Sequence, residues 1–305
     1  MPGDPDWVGP AITESTMEDK LNRNDAESVH ERVRAWYAEI ARAGQTSGGG
    51  SCCGPSPCCG STTTTVNELA KNIGYSEAEL AGLPEGANMG LSCGNPTALA
   101  ALKPGEVVLD LGSGGGFDVF LAGPRVGRTG RAIGVDMTPD MITMARRNTA
   151  AYRSRTGLDN VEFRLGEIEH LPVADNSVDV VISNCVINLS PDKPQVWRDI
   201  VRVLKPGGRV AVSDLALLRP LPTEVLEMVR AWVGCVAGAS LVSEVECDAR
   251  EAGLTDIRLE QKGDYFEATT AFDDPLYKKI AVALPKGTRP ADYVTSLNVT
   301  ARKPG

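Results

Sequence analysis

Val107-Val108-Leu109-Asp110-Leu111-Gly112-Ser113-Gly114-Gly115-Gly116-Phe117-Asp118 is the stretch whose reading decides the fold. A short apolar run closed by glycines has the profile of a strand buried on both faces, as in a parallel sheet. Glycines directly after such a strand let the chain turn tightly and let a ligand come close to the main chain. A dinucleotide fingerprint requires Gly-x-Gly-x-x-Gly. Counted from Gly112, its sixth position is Phe117, so that pattern fails. What stands here is an acid two residues ahead of Gly-x-Gly-x-Gly. An acid so placed suits the cationic end of a ligand, such as a sulfonium amino acid, and repels a pyrophosphate.

Strands and helices alternate downstream. Arg131–Asp136, Val161–Leu165, Val178–Ser183 and Arg209–Asp214 read as further strands. Thr138-Pro139 and Ser190-Pro191 each combine a hydroxyl cap with a proline in the first helical turn. Helices are therefore expected from there to about Arg155 and to the Lys205-Pro206-Gly207-Gly208 turn. Five strands with helical connections predict an α/β fold whose parallel sheet is covered on both faces. Beyond it, helices near 222–238 and 243–252 and strands near Ile257–Lys262 and Ser296–Arg302 are expected, whereas 263–295 carries no clear period.

Upstream, residues 1–23 are polar and rich in Pro and Asp. From Asp25, Val29, Val33, Trp36, Tyr37 and Ile40 recur at helical spacing, predicting an amphipathic helix that ends near Gly44. A Gly/Ser/Thr-rich stretch, 46–65, follows and holds Cys52, Cys53, Cys58 and Cys59. Short helical patterns at 66–73 and 76–82 lead to Leu91-Ser92-Cys93-Gly94-Asn95-Pro96. The chain thus divides into a segment with one helix and a Cys-rich linker (1–65), an α/β domain (66–215) and C-terminal helices and strands (216–305), the last expected to form a cap over the α/β domain.

Composition excludes several function classes. The 305 residues are 42% hydrophobic with a net charge of −9, and no basic run of five appears. Phosphate neutralisation needs clustered Lys and Arg, so a nucleic-acid partner is not expected. Arg146, Arg147, Arg153 and Arg155 read as the solvated face of a helix. No apolar run is long enough to cross a bilayer, and the N-terminus lacks the features of a signal peptide. A cytoplasmic location with no membrane partner is expected. In a reducing compartment the eight cysteines are read as ligands, nucleophiles or redox thiols rather than structural staples.

The second strand ends at Asp136-Met137. Asp136 lies 24 residues after Gly112, where an acid can accept hydrogen bonds from ribose hydroxyls. Met137 beside it is placed to pack on adenine, and a polar group in Gly166-Glu167-Ile168-Glu169, after the third strand, is placed to reach the adenine amine. From the glycine loop through Lys205-Pro206-Gly207-Gly208 the chain resembles the class I methyltransferases, a Rossmann-like family. The resemblance implies S-adenosylmethionine as cofactor. It further implies that Asp110, Gly112, Ser113, Gly114 and Gly116 cradle the methionine part, that Asp136 binds ribose and that Glu167 and Ile168 flank adenine.

Methyl acceptors that must lose a proton call for a general base near pKa 7. Only two histidines are present. His30 reads as the polar face of the N-terminal helix, and His170 as a loop residue. Trivalent arsenic, with a lone pair and no proton to lose, needs no base. Cys185 stands just past the fourth strand, at the carboxyl end of the sheet where ligands of open α/β folds bind. Cys93 lies in a Ser-Cys-Gly-Asn-Pro turn and Cys235 in a glycine-flanked segment read as helix. Thiolates suit soft, polarisable centres, and three around one As(III) leave its lone pair free. Each cysteine taken singly also fits a small buried hydrophobe, and Cys247 reads as plain helix.

Cys93-Gly94-Asn95-Pro96, Ser183-Asn184-Cys185-Val186-Ile187-Asn188-Leu189 and the glycine-flanked Cys235 together resemble the arsenite methyltransferase family. That resemblance implies that Cys93, Cys185 and Cys235 bind As(III), with Asn184 among the residues at the cofactor. It also implies arsenite or its thiol conjugates as substrate, a further N-terminal cysteine in a thiol relay, and a thioredoxin- or glutathione-type reductant. Cys52, Cys53, Cys58 and Cys59 offer four candidates for that relay. An accessory metalloid or redox segment, a zinc site and no function all remain open for them. Two other readings compete: methylation of another small molecule with incidental cysteines, and a non-catalytic thiol-rich metalloid-binding protein.

Overall fold

The Val- and Ile-rich runs present no polar face to water, and each becomes a strand covered on two sides. β1 (Val107–Leu111), β2 (Arg131–Asp136), β3 (Val161–Leu165), β4 (Val178–Asn184) and β5 (Leu204–Leu217) pair in parallel, in the order β3-β2-β1-β4-β5. β6 (Thr255–Lys262) and β7 (Val294–Arg302) extend the same sheet to seven strands. β7 runs antiparallel to β5 along Arg209–Leu217, and β6 antiparallel to β7 at the edge. This computed structural model describes residues 25–46, 66–226, 235–262 and 280–305.

Helices among the described residues include, in chain order, α1 (Ala26–Thr46), α2 (Val66–Asn72), α3 (Glu77–Ala81), α4 (Pro96–Ala100), α5 (Phe117–Val126), α6 (Pro139–Thr156), α7 (Lys193–Val203), α8 (Thr223–Leu226) and α9 (Val242–Glu251). Alternation along each strand divides the core. Leu109 and Leu111 of β1 join Trp197 and Ile200 of α7 on one face, whereas Val108 joins Phe120 of α5 and Tyr152 of α6 on the other. α1 packs across the top of the sheet against α6. There its buried Val29 and Val33 join an apolar cluster with Cys93, Leu189 and Cys235.

The expected strands and the start of α6 fall where the sequence places them; several boundaries do not. Ser190 does not cap α7. Its hydroxyl is committed to Glu169 and accepts the Asp192 amide at 3.1 Å, so Asp192 caps instead, accepting the Gln195 amide at 3.0 Å. Thr138 stands at the N-cap of α6 without a side-chain cap bond. α7 ends at Val203, and Lys205-Pro206-Gly207-Gly208, expected to be a turn, lies inside β5, which begins at Leu204. Of the helix expected over 222–238, Thr223–Leu226 is helical, 227–234 lies outside the described residues, and Cys235 sits in a turn with φ +63°. A left-handed residue cannot continue an α-helix. Cys52, Cys53, Cys58 and Cys59 also lie outside the described residues.

Candidate active site

Parallel register brings the carboxyl ends of the central strands side by side. Asp110 pairs with Gly134 and Ile182, Leu111 with Ser183, and Asn184 with Ser213. A cleft opens at these ends, the position expected of a ligand site in an open α/β sheet. Asp110, Gly112, Ser113, Gly114, Asp136, Met137, Ile168 and Asn184 all line it. Gly112 has φ +65°, and a Cβ there would run into the Val186 side chain, so glycine is required both by the turn and by the close approach.

Two expected cofactor residues stand outside that lining. Gly116 (φ +95°) turns the chain into α5, and a Cβ there would strike Phe120 and Phe163. Glu167 faces Arg34 of α1, with 3.3 Å between guanidinium nitrogen and carboxylate oxygen. Glu169, two residues on, lines the cleft in its place. His30 departs from its expected polar face. It lines the cleft, its Nε2 lies 3.0 Å from Glu169 Oε1, and that hydrogen bond raises its pKa above the usual imidazole value. Burial pushes Glu169 up, but the bonds from His30 and Ser190 outweigh it and hold the carboxyl below its usual value. His170 is an exposed loop residue, and Arg146, Arg147, Arg153 and Arg155 are exposed on α6, all as expected.

Three carboxylates, Asp110, Asp118 and Asp136, converge on the cleft. Asp136 Oδ2 accepts the Gly114 amide at 2.9 Å and Oδ1 the Thr138 amide at 2.8 Å, which ties β2 to the glycine loop. Asp118 accepts from Tyr75 Oη at 2.8 Å and from Asn184 Nδ2 at 3.1 Å. Burial raises all three pKa values. It lifts Asp118 to about 6, and the charges of Asp118 and Asp136 push Asp110 up further. Buried acids that are held partly protonated by burial and by one another form a site for a cation.

A pH dependence follows. Asp118 titrates near 3.8 when unfolded and about 6 when folded. Its protonated form therefore favours the fold below the unfolded value, and this contribution is lost as pH rises through about 6. A bound cation prefers the ionised form. The affinity for a cationic cofactor is thus expected to rise roughly tenfold from pH 5 to pH 7.5. Calorimetric titration across that range checks this, and a flat profile would remove Asp118 from the account.

Of the three expected thiols only Cys185 lines this cleft; Cys93 and Cys235 are buried beside it, each in contact with Cys185. Cys185 follows β4 and lines the cleft with φ +55°, and its amide donates to Ser213 O at 2.9 Å. The Cys93 turn is clamped by Asn184, whose Oδ1 accepts the Cys93 amide at 3.0 Å and whose Nδ2 donates to Gly94 O at 3.0 Å. The Cys93 and Cys185 sulfurs lie directly against each other, with Cα atoms 5.9 Å apart, a separation that a disulfide spans. Cys235 is 4% exposed, and its Sγ lies 3.0 Å from Cys185 O. Burial, then the Asp214 charge, raises the Cys235 pKa well above that of a free thiol. Asp214, at the end of β5, completes the neighbourhood: one of its oxygens and the Cys93 and Cys185 sulfurs all lie within 4.8 Å of one another. Cys247 is exposed on α9, away from this cluster.

A family model described as a methyltransferase domain matches residues 102–270. The chain is 44% identical, over 95% of its length, to the arsenite methyltransferase of Halobacterium salinarum, and it covers 72% of that protein. This chain belongs to the arsenite methyltransferase family. It is also 36% identical, over 76% of its length, to the arsenite methyltransferase of Aquipseudomonas alcaligenes, though it spans 63% of that relative. Among solved structures, an arsenic(III) S-adenosylmethionine methyltransferase from Chlamydomonas reinhardtii aligns with a TM-score of 0.57 and 32% identity, over 78% of this chain and 73% of that one. A putative sarcosine dimethylglycine methyltransferase from Galdieria sulphuraria shares the fold, with a TM-score of 0.53 over 68% of this chain and 82% of that one at 22% identity.

Four contributors carry no role at the cleft in the sequence reading. Asp118 was in view in the glycine loop, but only the fold reveals that Tyr75 and Asn184 hold it. Asp214 obeys the same strand-end rule that picks out Cys185, and that signal was available. Tyr37 and His30 reach the cleft because α1 docks across it, a contact between segments with no local signature.

Proposed function

We propose that this chain transfers a methyl group from S-adenosylmethionine to As(III) held by Cys93, Cys185 and Cys235. The observation carrying this reading is the apposition of the Cys93 and Cys185 sulfurs at one end of a cleft lined by buried carboxylates. The residues fit the cofactor. Asp110 and Asp118 face its cationic amino-acid end beside the Gly112–Gly115 backbone, Asp136 its ribose hydroxyls, and Met137 and Ile168 its adenine. When bound, S-adenosylmethionine supplies an electrophilic methyl group on a sulfonium.

The cysteines hold the arsenic with its lone pair free. Burial keeps water from competing for the methyl group. Return of the alkylated arsenic to the trivalent state takes two electrons, which two thiolates supply by forming a disulfide. Cys93 and Cys185 are spaced for that bond. A thioredoxin- or glutathione-type dithiol then resets the pair, with one of Cys52, Cys53, Cys58 and Cys59 relaying the exchange. Residues 1–65 supply that relay and α1, 66–215 the cofactor domain, and 216–305 the third thiol. No helix among the described residues is long and apolar enough to cross a membrane. A reducing cytoplasm suits the thiols.

Incubation with arsenite, S-adenosylmethionine and a thiol reductant, with products separated by arsenic speciation, tests the reading. Methylated arsenic is the expected product. Proven cofactor binding without any methylated arsenic would falsify it.

A further inference from the structure

Asp214 has no part in binding arsenic or cofactor in the scheme above, yet its placement is unusual for a carboxylate. It is 7% exposed at the end of β5, with one oxygen within 4.8 Å of both the Cys93 and the Cys185 sulfur. The four hydrogen bonds it accepts among the described residues come from neutral donors. Oδ2 takes the Ile187 amide at 3.0 Å and the Asn188 amide at 3.4 Å, and Oδ1 takes Asn188 Nδ2 and the Leu215 amide, each at 2.8 Å. These bonds fix the carboxylate rigidly and fasten the loop that follows Cys185. The positive charge that acts on it is that of Lys193, which points its ammonium at Ser190 O at 3.3 Å.

Resting on the proposed arsenic reaction, we propose that Asp214 is the electrostatic partner of the arsenic centre, stabilising the positive charge that methyl transfer moves onto arsenic. The charge balance requires such a partner. Three thiolates around As(III) make a neutral centre. Its lone pair forms the As–C bond, the S–C bond breaks with its electron pair left on the cofactor sulfur, and the single positive charge passes from sulfur to arsenic. A fixed anion beside the ligating sulfurs stabilises that state more than the neutral one before it. A preorganised charge in a water-poor site, which interacts more strongly in the transition state than in the ground state, accelerates the chemical step. Asp214 also acts through Cys185 as a positioning residue, because its bonds to Ile187 and Asn188 hold the turn on which Cys185 keeps its left-handed backbone.

The test uses full-length enzyme at pH 8 and the variant Asp214→Asn, with three readouts. Asparagine turns its amide toward one pair of these donors, so arsenite affinity should weaken by up to about tenfold and S-adenosylhomocysteine affinity stay within about threefold of wild type, while the single-turnover methylation rate at saturating arsenite falls roughly 10- to 100-fold. Preference for sinefungin, a cofactor analogue with a cationic amine at the sulfonium position, over neutral S-adenosylhomocysteine should also drop by about threefold or more. The last readout needs no turnover and does not move if the residue merely shapes the loop. If Asp214→Asn does not fold, Asp214→Glu against Asp214→Gln compares equal volumes with and without charge, and the Glu form should be the faster. An unchanged rate, an unchanged analogue preference, or arsenite binding lost in step with rate would each overturn the proposal. Failure of wild type to methylate arsenite would sink the underlying reaction instead.

Discussion

Replacing Cys185 with serine is expected to reduce methylarsenic formation by a factor on the order of 1,000 while cofactor affinity stays within about threefold. The residue adjoins both ligands: it lines the cofactor cleft, and its sulfur lies against that of Cys93. Serine nearly preserves the volume and tolerates the same backbone, so the substitution removes chemistry rather than packing. A hydroxyl is a hard donor that remains protonated at neutral pH, whereas As(III) selects soft thiolates. Losing one of three such bonds costs about 4 kcal/mol of affinity, which corresponds to about a thousandfold. Cys247→Ser, on the exposed face of α9, should change neither quantity. Parallel assays of arsenic speciation and S-adenosylhomocysteine binding decide the matter. Turnover surviving in Cys185→Ser would mean that the cysteines are incidental to a different acceptor.

Asp136→Asn is expected to weaken S-adenosylmethionine binding by about 100-fold. In the native protein each carboxylate oxygen already accepts one amide, from Gly114 and from Thr138. Each oxygen keeps a lone pair for a ribose hydroxyl. Asparagine supplies one acceptor oxygen only, and its amide group would face a backbone N–H as donor against donor. Leaving a buried donor unpaired and losing a ribose bond together cost about 3 kcal/mol. Because Asp136 lies at the cofactor end of the cleft, arsenite stoichiometry should be unchanged. Equilibrium titration of both ligands separates the effects, and a parallel loss of arsenite binding would show that the variant disturbs the whole strand-end platform.

The sheet was legible because its signals are local. Val107–Leu111 and Val178–Ser183 are apolar runs too short for helices and bounded by turn residues, and they admit little else. The α6 start survived because proline fixes its own backbone angle wherever the surroundings allow a helix. The Ser190 cap failed for the complementary reason. A hydroxyl bonds the best partner within reach, and Glu169, brought in by the loop after β3, is reached before the α7 amides. Cys235 shows the same limit: a small residue among small residues reads as helix, while packing against α1 and the Cys185 carbonyl sets it in a left-handed turn.

Sequence alone determined that this chain builds a parallel α/β sheet and that its glycine loop, preceded by an acid, lacks the dinucleotide pattern, and it singled out Cys93, Cys185 and Cys235 as the candidate thiol ligands. Each rests on residue type and short-range spacing, which the chain carries without folding. Tertiary structure alone decided which groups meet. The separation of 92 residues between Cys93 and Cys185 is closed by strand register and by the Asn184 clamp. α1 crosses the cleft to bring His30 and Tyr37 into it. Asp214 gains its place beside the sulfurs because β5 pairs with β4 one strand away from the glycine loop. Such contacts depend on how whole elements pack, because burying their apolar faces fixes the approach of side chains that no local pattern relates.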